Sequence, residues 1–122
     1  MKHAPEFLKL VESVMPNIKE ITAEEVKAMQ LRADAFTLVD VREDSEWAKS
    51  RVAGAIHIGR GVIERDIETL APDKAATLVL YCGGGYRSAL AAENLQKMGY
   101  TSVLSMAGGY RGWADKGFPV TA

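Results

Sequence analysis

The stretch Leu78-Val79-Leu80-Tyr81-Cys82-Gly83-Gly84-Gly85-Tyr86-Arg87-Ser88-Ala89-Leu90 places the chain's one cysteine between an apolar, strand-like run and a segment that favours helix. Three consecutive glycines let the backbone turn tightly after the sulfur, because glycine reaches positive-φ conformations that aim successive N–H groups inward. From Arg87 to Met98 the sequence is rich in Ala, Leu, Glu, Gln and Lys, so a helix begins where the loop ends. Its positive N-terminal dipole then points toward Cys82. Such surroundings favour thiolate over thiol, and Cys82 reads as a nucleophile. Gly83, Gly84, Gly85, Tyr86, Arg87 and Ser88 read as the anion cradle around it. A cysteine that merely ended a buried strand would need neither the glycine triplet nor the arginine.

The rest of the composition bounds this reading. A chain of 122 residues, 48% hydrophobic and 25% charged, fits one globular domain with one core. Fifteen Lys and Arg against sixteen Asp and Glu give a net charge of −1, which offers nothing to nucleic acid. The opening Met1-Lys2-His3-Ala4-Pro5-Glu6 leads into a segment broken by charges, and no apolar run is long enough to span a bilayer. No membrane partner is expected, and the cytoplasm is the expected compartment. A single cysteine cannot form an internal disulfide or dithiol pair, so any partner thiol must come from outside. His3 and His57 stand apart without other ligands at metal-binding spacing, so neither a metal site nor a cofactor is expected.

Helical and extended patterns alternate along the chain. Apolar residues at Phe7, Leu8, Leu10, Val11 and Val14 make one face of a short helix from Pro5 to Met15, which Pro16-Asn17 ends. Thr22 followed by Glu25 has the form of a capping box for a helix through about Leu31. Strands are expected at Ile18 to Ile21, Phe36 to Val41, Ala55 to Ile58, Thr77 to Tyr81 and Ser102 to Met106. Further helices are expected at about Asp44 to Lys49, Gly61 to Leu70, Arg87 to Met98 and Tyr110 to Asp115. This alternation predicts an α/β fold, a five-stranded mainly parallel sheet with helices on both faces in three layers. Residues 1–17 are assigned to an N-terminal helical extension and 18–122 to the domain proper.

Sites in such sheets form beyond the carboxyl ends of the strands. Arg42, Arg60, Arg87 and Arg111 each follow a different strand, so a locally positive rim for a small anion is expected there. Arg42 is flanked by Asp40, Glu43 and Asp44 and reads first as the ion-pair partner of one of them, second as part of the rim. Tyr86, inside the loop, should turn its ring toward the mouth of the site. Trp47 and Trp113 read as aromatic anchors of helices, and His57, between Ile56 and Ile58, as a hydrogen-bonded structural histidine.

Four motifs in order resemble those of single-domain rhodaneses, over about residues 18 to 120. They are Leu38-Val39-Asp40-Val41-Arg42-Glu43 with Glu46 and Trp47; Gly54-Ala55-Ile56-His57-Ile58; Tyr81-Cys82 with Gly85, Arg87 and Ser88; and Met106-Ala107-Gly108-Gly109-Tyr110-Arg111-Gly112-Trp113. Val52-Ala53, where the family usually has Ile-Pro, and Arg51, where it has His, are departures that concern packing. The resemblance implies five parallel strands and a Cys82 that carries sulfane sulfur as a persulfide. It implies a sulfurtransferase: a small anionic donor such as thiosulfate loads Cys82, and cyanide in an assay, or a thiol, a protein thiol included, removes the sulfur. Alternatives are a persulfide carrier or protein-binding module without turnover, and a cysteine phosphatase or arsenate reductase. Against the last, four residues separate Cys82 from Arg87 where phosphatase loops resemble Cys, five residues, Arg.

Overall fold

A computed structural model describes residues 3–122; Met1 and Lys2, at the head of the expected extension, lie outside the described residues. Five strands, β1 (Lys19–Ile21), β2 (Thr37–Asp40), β4 (Ile56–His57), β5 (Leu78–Tyr81) and β6 (Val103–Met106), form one sheet in the order β1-β6-β5-β2-β4. Every pairing in it is parallel. The central strand β5 shows why. Leu78, Val79, Leu80 and Tyr81 are all fully buried, as a strand covered on both faces requires.

Alternate residues then go to opposite layers. Leu78 and Leu80 join Val39 and Val103 beneath α4 (Ile63–Leu70) and α5 (Tyr86–Lys97), which contribute Ile63, Ile67, Ala91, Ala92 and Leu95. Val79 and Tyr81 join Leu38 and Met106 on the other face, beneath α2 (Ala23–Leu31) and α6 (Gly109–Asp115), with Val26 and Trp113 at the centre. The α3 helix (Asp44–Lys49) follows β2 and carries Glu46 and Trp47. Outside these layers, α1 (Pro5–Val14) lays Val11 and Val14 against Ala89 and Leu90 of α5, and a 3-10 turn over Met15–Asn17 leads into β1. Among the described residues no helix is long and apolar enough to cross a membrane.

The expected elements are present with most ends trimmed by one or two residues, since periodicity does not mark the last paired residue, while α5 and α6 each begin one residue earlier than expected. One feature was not foreseen. β3 (Arg51–Val52) and β7 (Val120–Thr121) form a two-stranded antiparallel ladder that brings the chain's end back beside α3. Two residues per strand carry no readable period. The ladder is secured by side chains instead: the Trp113 indole N–H donates to the Pro119 carbonyl (2.8 Å), and the Val52 amide donates to the buried Tyr81 hydroxyl (3.1 Å).

The capping box at α2 is formed as expected, with the Thr22 hydroxyl accepting from the Glu25 amide (3.1 Å) and Glu25 reaching back to Thr22. Removing it by Thr22→Ala is expected to cost about 1 kcal/mol of folding stability and to lower Tm by about 4 °C. Thermal unfolding followed by circular dichroism checks this, and an unchanged Tm would deny the cap its role.

Candidate active site

Because the sheet is parallel, β2, β4, β5 and β6 all release the chain at one edge. Cys82 follows β5 there with 1% of its surface exposed. The Gly85 amide donates to Cys82 Sγ at 3.1 Å, and Ser88 Oγ lies 3.6 Å from the sulfur and 2.8 Å from Ser105 Oγ. Gly85 is also the N-cap of α5, so the sulfur sits at that helix's N-terminus.

The glycine triplet works differently from the expectation. Only Gly85 takes a positive φ, +100°. At Gly84 a Cβ would lie 2.5 Å from the far end of the Arg111 side chain, which would have to shift to admit it. At Gly83 a Cβ would come within 3.3 Å of Arg87 Nη2. The loop is fixed from outside by α6. The Tyr110 amide donates to the Cys82 carbonyl (2.7 Å) and the Arg111 amide to the Gly83 carbonyl (3.1 Å). Gly109, at φ +56°, leaves space for this approach, since its Cβ would overlap the Cys82 carbonyl oxygen and the Gly83 backbone.

The four arginines take three different roles. Arg42 is not on the rim. It is 5% exposed and grips the fully buried Asp40 carboxylate through Nε (3.0 Å) and Nη2 (2.8 Å), donates to the Ser50 carbonyl (2.6 Å), and lies over the Tyr110 ring. Burial works against the Arg42 charge, and Asp40 outweighs it, raising the guanidinium above its ordinary value. Arg87 borders the sulfur pocket but is already paired: its two terminal nitrogens donate to the two Glu46 oxygens at 3.0 and 3.2 Å. That contact raises Arg87, while for Glu46 the cost of burial is outweighed by Arg87 and by the Glu43 amide, so its carboxyl falls below the usual range. Arg60 and Arg111 line the same pocket, and neither has a carboxylate partner among the described residues. Among the described residues the buried Arg60 Nε has no hydrogen-bond acceptor.

The pocket has a volume of about 430 Å³ and holds Cys82, Gly83, Gly84, Tyr86, Arg60, Arg87 and Arg111 together. Sequence reasoning missed three of its other residues. Glu46 belongs to a quoted motif, but nothing in its position foretold a pairing with a residue 41 places later. Phe7 of α1 and His3, just ahead of that helix, reach the pocket from the segment that was read as an extension. Phe7 was legible as part of an apolar face, and the partner of that face was not. Tyr86 does stand at the mouth, 37% exposed. His57 is hydrogen-bonded through Nε2 to the Arg42 carbonyl (2.8 Å) and stacks on Trp47.

Comparisons with known proteins agree with this architecture. The family model described as Rhodanese-like domain matches residues 22–116. A sulfurtransferase of Allochromatium vinosum is 30% identical over 86% of this chain and 96% of its own length. The thiosulfate sulfurtransferase GlpE of Haemophilus influenzae is 32% identical over 85% of this chain and 95% of its own. The chain spans only 53% of the length of another relative, YrkF of Bacillus subtilis. Among solved structures, RPA3614 of Rhodopseudomonas palustris, a protein of unknown function described as a possible tyrosine phosphatase, superposes with a TM-score of 0.83 at 26% identity. That match covers 99% of this chain and 98% of the other.

Truncating Arg42 to Met is expected to strand the Asp40 carboxylate in the core and to cost about 3–5 kcal/mol in urea unfolding, as for other broken buried pairs. A loss of only about 1 kcal/mol or less, typical of a surface ion pair, would return Arg42 to the solvent-facing rim.

Proposed function

The chain belongs to the rhodanese-like family, and from that premise we propose that it is a sulfurtransferase working through a Cys82 persulfide, with thiosulfate as a donor. The observation that carries the proposal is the Gly85 amide 3.1 Å from Cys82 Sγ at the N-terminus of α5, inside a pocket with two uncommitted guanidinium groups. The Cys82 thiolate attacks the outer sulfur of thiosulfate, and the sulfur–sulfur bond of the donor breaks with its electron pair leaving on sulfite. Arg60 and Arg111 supply positive charge for the sulfonate. The Gly85 amide and its neighbours in the loop then face the negative terminal sulfur, as an oxyanion hole faces oxygen. A nucleophilic acceptor, cyanide or a thiol, removes that sulfur and restores the thiolate.

Phosphoryl transfer is less well supported. Four residues between Cys82 and Arg87 make a small cradle, and Arg87, the group that would meet a phosphoryl oxygen, is committed to Glu46. A carrier without turnover would not need the two free arginines at the pocket. The division into residues 1–17 and 18–122, and a cytoplasmic location, remain part of this proposal.

Mass spectrometry of protein treated with thiosulfate is expected to show one added sulfur on Cys82, and Cys82→Ser to lose both the adduct and thiosulfate-to-cyanide transfer while keeping its fold. Turnover by a folded Cys82→Ser protein, or aryl phosphate hydrolysis faster than sulfur transfer by the wild type, would refute the proposal. The charges predict a salt effect as well. Screening shortens from about 10 Å at 0.1 M to about 3 Å at 1 M salt. Arg60→Gln and Arg111→Gln should therefore lower kcat/KM for thiosulfate mostly at low ionic strength. Salt slopes equal to the wild type's would remove both residues from donor capture.

A further inference from the structure

The pocket over Cys82 is larger than the proposed donor needs. Thiosulfate has only five heavy atoms, and the pocket of about 430 Å³ has lining beyond the Cys82 loop and its arginines. Part of the remaining lining comes from Phe7 of α1 and from His3 just ahead of it, both of which precede the family match at residue 22. There, three rings meet. The His3 imidazole stands edge-on to Tyr86 with centroids 4.7 Å apart, Phe7 is 5.4 Å from His3, and Phe7 and Tyr86 are 6.2 Å apart at 87°. Val11 and Val14, one and two turns farther along, anchor α1 to α5, so the rings are held in place by buried contacts that do not themselves touch the pocket.

The same pocket therefore offers a sulfur at its floor, two guanidiniums without carboxylate partners among the described residues, one with an unsatisfied buried Nε, and a cluster of aromatic rings. A ligand that uses all of them has a thiolate, an anionic group and a flat apolar body. We propose that His3 and Phe7, with Tyr86, are specificity-determining residues of the second half-reaction, and that they select a small anionic thiol with an aromatic or otherwise planar body as acceptor. This rests on the sulfurtransferase reading. In the step itself the acceptor thiolate, RS⁻, attacks the terminal sulfur of the Cys82 persulfide. A new sulfur–sulfur bond forms, the bond between Cys82 Sγ and that sulfur breaks, and its electron pair stays on Sγ. The products are RSS⁻ and the Cys82 thiolate, with no outside oxidant or reductant.

The test preloads the protein with thiosulfate, removes the excess, and follows single-turnover discharge by 4-mercaptobenzoate and by mercaptoacetate, which share the carboxylate and differ in the ring. The readout is the ratio of their discharge efficiencies. Phe7→Ala is expected to lower that ratio about tenfold, near the upper end for aromatic contacts. His3→Ala, ahead of the first helix residue and so harmless to the fold, should lower it in the same direction. A ratio unchanged in both variants, or faster discharge of wild type by a protein thiol than by 4-mercaptobenzoate, would overturn the inference while leaving the sulfurtransferase reading intact. Failure of the wild type to load sulfur on Cys82 would overturn both.

Discussion

The site depends on one backbone contact, the approach of the first turn of α6 to the carbonyls of Cys82 and Gly83. A loop that must direct amides toward a sulfur has to dispose of its carbonyl groups elsewhere, and buried carbonyls need donors. The α6 N-terminus has amides without helical partners to give. Matching the two satisfies both deficits at once and orients the loop. The contact is close enough that only glycine fits at position 109, and α6 is held to its place by the fully buried Trp113. Residues after β6 thus set the geometry of a sulfur that follows β5.

Charge is arranged with similar economy. Of the four arginines at the carboxyl edge of the sheet, one is spent inside the protein on Asp40 and one is shared with Glu46. Arg42 also spans the gap between β2, the Ser50 carbonyl and the Tyr110 ring, so the pair that removes it from the pocket helps seat the helix that holds the loop. Glu46, for its part, holds both terminal nitrogens of Arg87 at the border of the pocket. Among the described residues, Arg60 and Arg111 stay at the pocket without a carboxylate partner.

The fold was readable from the chain because strand and helix periods are local, and because the Leu78–Tyr81 run announces a strand covered on both sides. The Cys82 loop was readable for the same reason: Cys82, its glycines and the helix that follows lie within one short stretch. The rest of the site was less so. Glu46 meets Arg87, and Phe7 meets Tyr86, across sequence distances that no period bridges. The glycine triplet suggested backbone torsion as its cause at all three positions, yet only Gly85 takes a positive φ, and Gly84 lies under the end of the Arg111 side chain, a neighbour only the tertiary structure supplies. The β3–β7 ladder was invisible because four residues leave no pattern.

The parallel sheet has a consequence for how the molecule comes into being. β1 pairs with β6, Lys19 beside Leu104, so a strand near the beginning of the chain waits for one made close to its end. Sheets built from such distant partners close more slowly than bundles of neighbouring helices, since the entropy of the intervening loop is lost before any pairing energy returns. On the ribosome, Cys82 emerges well before the glycine-rich turn at Gly108-Gly109 that will orient its loop. The Cys82 loop therefore takes its folded form only once α6, made later than the loop itself, has docked its first turn against the Cys82 and Gly83 carbonyls.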